Sequence, residues 1–141
     1  MSDTPVVYDL AAQYRDEIKA ALEKDGVHAD AKKFKVTNDP LLIPKLVDTG
    51  VICVNPPELT FDTFNQFDAE WALTIVVGPM QLLDVAFQRL ARVIEVIRTT
   101  TTLPIERAYP DSYRPQDGQG AYAAYVITFT HSYETTLEET P

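Results

Sequence analysis

Apolar and polar positions alternate most regularly between Asp68 and Tyr133. Phe67, Ala69, Trp71, Leu73 and Ile75 share one parity, and Asp68, Glu70, Ala72, Thr74 and Val76 share the other. This predicts a half-buried strand over about 67–77 whose far end is buried on both faces. Gly78-Pro79 stops the strand, and Pro79 suits the first position of a helix. The period then becomes helical over about 79–98. Leu83, Ala86, Phe87, Leu90, Val93, Ile94 and Ile97 form a core face, opposite Gln81, Asp84, Gln88, Arg92 and Glu95. Val85 and Val96 widen the apolar stripe beyond what one sheet face needs, which hints at a second packing partner. The run Thr99 to Thr102 favours extended geometry and ends this helix, and Pro104 reinforces the break. Ile105–Tyr109 reads as a short strand and Pro110–Gly120 as a polar loop. Ala123–Tyr133 is the last strand. Its large residues (Tyr125, Ile127, Phe129, His131, Tyr133) oppose Ala124, Val126, Thr128, Thr130 and Ser132.

The first half is less regular. Thr4 caps and Pro5 opens a helix in which Val7, Leu10, Ala11, Tyr14, Ile18, Ala21 and Leu22 recur at helical spacing, and Gly26 terminates it. Residues 27–49 carry a basic cluster, Lys32, Lys33 and Lys35. They also carry Leu41-Leu42-Ile43 between Pro40 and Pro44, where the prolines exclude a long central strand. Residues 50–54 form a short strand, and 55–64, beginning Asn-Pro-Pro, read as a loop. Residues 134–141 are an acidic segment expected to fray. The chain is thus expected to be a single α+β domain over 1–141. Its order is α-β-β-α-β-β, a mostly antiparallel sheet with two helices packed against it.

Length and charge narrow the function classes. A chain of 141 residues builds its own core. A formal charge of −9 opposes adhesion to nucleic-acid phosphates and to anionic lipid. No stretch approaches a membrane span or a signal peptide, so synthesis in a reducing cytoplasm is expected. The one cysteine, Cys53, cannot form an intrachain disulfide, and its apolar surroundings in Val51–Val54 predict a buried, inert thiol.

Candidate chemistry is sparse. Cys53 and His131 are the only cysteine–histidine combination with a strand-borne histidine, and burial works against a reactive thiolate. His131 itself reads as a partly buried strand residue. His28 and His131 lack metal-ligand spacing. Asp68 and Glu70 share one side of a strand but read as its solvated start. Gly118-Gln119-Gly120 lacks the Lys-Ser or Lys-Thr and the helix that a phosphate-cradling loop requires. Lys32, Lys33 and Lys35 read as a solvated face without the interleaved aromatics of a nucleic-acid reader. No catalytic residue, cofactor or metal is assigned. Phe61 and Phe64, in or beside the 55–64 loop, read either as loop anchors or as intersubunit contacts, and Leu41, Leu42 and Ile43 invite the same two readings.

The element order, the length and the long helix between paired strands resemble the tail terminator proteins of long-tailed bacteriophages. The segments that carry the resemblance are Ala69–Val77, Gln81–Arg98 and Ala121–Tyr133. Residues 27–64 match least clearly. The resemblance implies a virion structural protein, not an enzyme. Such proteins form a ring, usually hexameric, on the head-proximal end of the tail tube. The ring stops tube polymerisation and meets the head-completion and neck proteins, and DNA passes through its lumen without specific binding. Six copies would carry about −54 formal charges, a lumen that repels phosphate. The expected partners are further copies of the chain, the tail-tube protein and a neck protein, with no membrane. The expected location is the virion tail or neck.

On this reading the subunit and tube contacts fall on Leu41, Leu42, Ile43, Phe61, Phe64, Tyr113, Arg114 and Gln116. The rivals are another neck component such as a head-closure or adaptor protein, a non-viral α+β module that binds a ligand or peptide, and a small enzyme.

Overall fold

The computed structural model describes residues 7–24, 34–46, 50–63, 66–79, 83–114 and 121–134. Among these described residues two long helices, α1 (Val7–Lys24) and α3 (Leu83–Thr100), lie on a six-stranded sheet. The strands are β1 (Lys35–Thr37), β2 (Val51–Val54), β3 (Glu58–Thr63), β4 (Gln66–Pro79), β5 (Arg107–Tyr113) and β6 (Tyr122–Glu134). The strand order is β1-β2-β4-β6-β5, with β3 also paired to β4. All pairings are antiparallel except β1 with β2. The α+β class and the mostly antiparallel sheet therefore match expectation, whereas the element order does not. A 3-10 turn (Pro40–Leu42) and a short helix α2 (Ile43–Leu46) join the two expected helices. Two further strands, β1 and β3, join the expected strands.

The core forms between the helices and one sheet face. From α1 come Leu10, Ala11, Ile18, Ala21 and Leu22, and from α3 Ala86, Leu90, Val93, Val96 and Ile97. They cover Ile52 and Val54, the odd residues of β4 from Phe67 to Val77, and Ala123, Ile127 and Phe129. Trp71 and Phe129 are fully buried, and truncating either to Ala is worth about 3–5 kcal/mol. The other face carries a smaller cluster in which Ile43 sits against Val51, Cys53, Val76 and Ala124. That cluster explains why the far end of β4 is apolar on both parities.

Several local expectations fail for identifiable reasons. Pro79 ends β4 opposite Tyr122 and does not open the helix. On α3, Val96 is core, whereas Phe87 is half exposed with its ring edge-on to Tyr125. The threonine run does not stop the helix at Arg98. Thr99, Thr100 and Thr101 each turn the hydroxyl back to donate to the carbonyls of Glu95, Val96 and Ile97, which suits helical geometry. The helix end is then tied to α1, because the Glu17 carboxylate accepts the Thr102 N–H at 2.6 Å and its hydroxyl at 2.8 Å.

The 55–64 segment is not a loop throughout. Glu58–Thr63 pairs with β4, with Leu59 opposite Ala69 and Phe61 opposite Phe67. Strands β2 and β3 thus share one edge of β4 and are separated by Asn55-Pro56-Pro57. At that break Asn55 donates its N–H and its side-chain amide to the Ala72 carbonyl, and the amide also reaches the Thr74 hydroxyl. The strand expected at 105–109 is displaced to Arg107–Tyr113, so Pro110–Tyr113 belong to it and not to the loop. Proline is tolerated because β5 is an edge. The register with β6 runs unbroken through Pro110 opposite Tyr125, which places the proline where a ladder N–H would face away from β6. The start and end signals at Thr4-Pro5 and Gly26 lie outside the described residues, as does the acidic segment beyond Glu134.

Candidate functional site

Three groups of exposed apolar side chains stand out, and sequence position scatters them over different parts of the fold. On the 3-10 turn beside the β1 side of the sheet, Leu41 is 82% exposed and Leu42 36%. Asp39 holds this turn in place, its carboxylate accepting the Leu41 N–H at 3.0 Å. On α3, packed over β4 and β6, Val85 and Phe87 are about half exposed. On β3, Phe61 is 70% exposed, and Leu59 stands on the same side of the strand.

Phe61 is the outer end of an aromatic run that crosses the sheet. It packs on Phe67, and Phe67 packs on Tyr133, at ring separations of 5.7 and 5.3 Å. The three are direct cross-strand neighbours on β3, β4 and β6, the closest contacts a sheet offers. From there the cluster turns inward. Tyr14 meets Trp71 and Phe129 edge-on, and the Tyr133 hydroxyl bonds both the Tyr14 hydroxyl at 2.8 Å and the Trp71 indole N–H at 3.1 Å. Burial raises the Tyr14 phenol above its ordinary range, with the Tyr133 hydrogen bond adding to it. This is the behaviour of a packed structural anchor, with its hydroxyls consumed by one another.

The expected contact residues divide on inspection. Leu41, Leu42 and Phe61 are at the surface. Ile43 is not available there, because it is 7% exposed and plugs the smaller core cluster. Tyr113 is partly buried against Tyr122, with ring centroids 6.4 Å apart, and Arg114 is exposed just beyond β5. Phe64 and Gln116 lie outside the described residues. The groups do not converge on one cleft.

Cys53 is fully buried on β2, and burial, helped by the charge of Asp39, pushes its thiol up to about 12. His131 is exposed, not half-buried, with its ring against Tyr133. Cys53 aligns with Thr74 and His131 with Ala69. The two are thus roughly 17 Å apart along the strand and on opposite faces. They cannot form a nucleophile–base pair. Asp68 and Glu70 lie on the open face as expected, opposite Thr60 and Glu58 of β3, and Ser132 donates to Asp68 at 2.5 Å. Among the described residues no group of three or more His, Cys, Asp or Glu side chains is placed to hold a metal ion. No described helix is long and apolar enough to cross a membrane.

One concavity was not foreseen. A cavity of about 320 Å³ opens at the β1 edge of the sheet, where α1 forms one rim and the 3-10 turn with α2 forms the other. Its apolar lining comes from Leu22, Phe34, Val36, Leu42 and Leu46, accompanied by exposed Lys19, Glu23 and Lys35. The alternation Lys35-Val36-Thr37 was the available signal, but so short a strand is masked in the sequence by the basic cluster around it. In comparisons with known proteins, no family model and no curated sequence matches this chain.

Proposed function

We propose that this chain is a virion structural protein of the tail terminator kind. It would assemble as a ring on the tail tube, stop tube growth and connect the tube to the neck. The observation that carries the proposal is the placement of non-identical apolar surfaces at opposite sides of the sheet. Leu41 and Leu42 stand on the turn by β1, and Phe87 stands exposed on α3 with its ring against Tyr125 of β6. A ring requires such a head-to-tail pair, because a heterologous contact closes into a finite assembly when its rotation closes. Phe61 gives a third apolar contact, suited to the tube. Glu58, Asp68 and Glu70 supply acidity on the open face, consistent with a surface along which DNA slides without adhering.

The test is to add the protein to polymerising tail-tube protein and image the products by electron microscopy. The expected result is tubes of fixed length with a ring on one end. Unchanged tube growth with no bound density would refute the proposal. The cavity at the β1 edge favours a second reading, a peptide-binding module. That reading predicts capture of an extended peptide and no effect on tube length.

A further inference from the structure

The β1 edge has the features of a strand acceptor. Lys35 donates its N–H to the Gly50 carbonyl on the β2 side, so the next residue, Val36, turns its N–H and C=O outward. Among the described residues no strand pairs with that outer edge. The cavity described above runs along it, with Leu22 on one rim and Leu42 and Leu46 on the other. An extended segment laid there would gain main-chain hydrogen bonds from β1 and place alternate side chains against the two rims, the mode known as strand addition.

The chain itself contains a segment of matching chemistry. Residues 135–141 read Thr-Thr-Leu-Glu-Glu-Thr-Pro. Leu137 suits the apolar lining, and Glu138 and Glu139 meet a rim on which Lys19 and Lys35 outnumber Glu23. Geometry decides whose groove this segment can enter. It leaves β6 at Glu134, opposite Gln66, whereas the near end of β1 aligns through Cys53 with Thr74. That is about 26 Å along the strands and about 14 Å across them, roughly 30 Å in all. Seven extended residues span at most about 25 Å. The segment cannot lie in its own groove.

We propose that residues 135–141 of one copy add as a strand to the β1 edge of the next copy, with Leu137 in the cavity. The exchange is head-to-tail, so each copy gives one segment and receives one. The proposal rests on the self-association in the ring reading and not on tube binding.

The test uses the full chain with Leu137→Cys and Leu42→Cys together, treated with a short bismaleimide. Cys53 stays silent because it is buried. The expected product is a ladder of covalent multimers. Its yield should be about tenfold above that of Leu137→Cys paired with Val85→Cys, reflecting the raised effective concentration of docked groups. Adding Lys35→Glu should remove that excess, and Glu138→Lys on top of it should restore part. A yield equal to the Val85 control, or an internally linked monomer, overturns the proposal. Tube capping by a protein that gives no ladder would remove this inference and leave the ring reading standing.

Discussion

Replacing Tyr133 with Phe removes a single oxygen from the aromatic cluster and should cost more than its size suggests. That oxygen is the partner of both the Trp71 indole N–H and the Tyr14 hydroxyl. Trp71 is fully buried, so its N–H has no access to water once the partner is gone, a penalty of about 1–3 kcal/mol. Tyr14 is only partly buried and recovers some hydration, which adds about 0.5–1 kcal/mol. The expected total is about 1.5–4 kcal/mol. For 141 residues, an unfolding entropy of roughly 2.1 cal/mol/K per residue converts this to a fall in Tm of about 5–13 °C. Tyr14→Phe leaves the Trp71–Tyr133 bond intact and should cost only about 1 kcal/mol. The double variant should then be barely worse than Tyr133→Phe alone, because both substitutions remove the same bond. Urea titration followed by the fluorescence of Trp71, the one tryptophan, reads all three variants. A cost for Tyr133→Phe at or below that of Tyr14→Phe would refute the reasoning.

Three other outcomes follow from the same structure. Gly50 has φ +93°, and a Cβ there would come within 2.9 Å of the Phe34 ring; Gly50→Ala should lower stability by about 2 kcal/mol in chemical denaturation. The folded Cys53 pKa of about 12 lies above its ordinary 9.0, so the contribution of the protonated thiol is complete below pH 9 and is lost as pH rises from 9 towards 12. Urea midpoints should therefore be level from pH 7 to 8 and decline above pH 9, and Cys53→Ala, which removes the ionisable group without overfilling the site, should remove the thiol's share of that slope, up to about 1.4 kcal/mol per pH unit. Phe61→Ser should leave Tm within about 3 °C, because the ring is mostly exposed, while abolishing ring or tube contacts seen by electron microscopy; undiminished capping would remove Phe61 from the interface.

The elements with strict periods were legible in the sequence. Trp71, Leu73, Ile127 and Phe129 are where alternation places them, and Leu10, Ile18 and Leu22 face the sheet as helical spacing requires. The misses have physical causes. Leu59 and Phe61 alternate with Glu58 and Thr60, but Asn55-Pro56-Pro57 looks like the start of a loop, and only pairing with β4 shows otherwise. Pro110 looks like a strand breaker until β5 is known to be an edge. The Thr99–Thr101 hydroxyls reverse a propensity by bonding back into the helix. Ile43 could not be separated from Leu41 and Leu42 by composition, because the β2 face it covers comes from later in the chain. The β1 groove draws on residues from Lys19 to Leu46, and no local pattern reveals such an assembly of rims.

The proline in β5 has a consequence for what the sheet can do in a crowded solution. Sheets that are open on both sides polymerise edge to edge, and this is a common route into fibres. Here the β5 border presents a ring at Pro110 where an incoming strand needs a donor. A strand laid along β5 would lose a ladder hydrogen bond at that point, so this stretch of the border resists the edge-to-edge growth that the Val36 border, unpaired among the described residues, accepts.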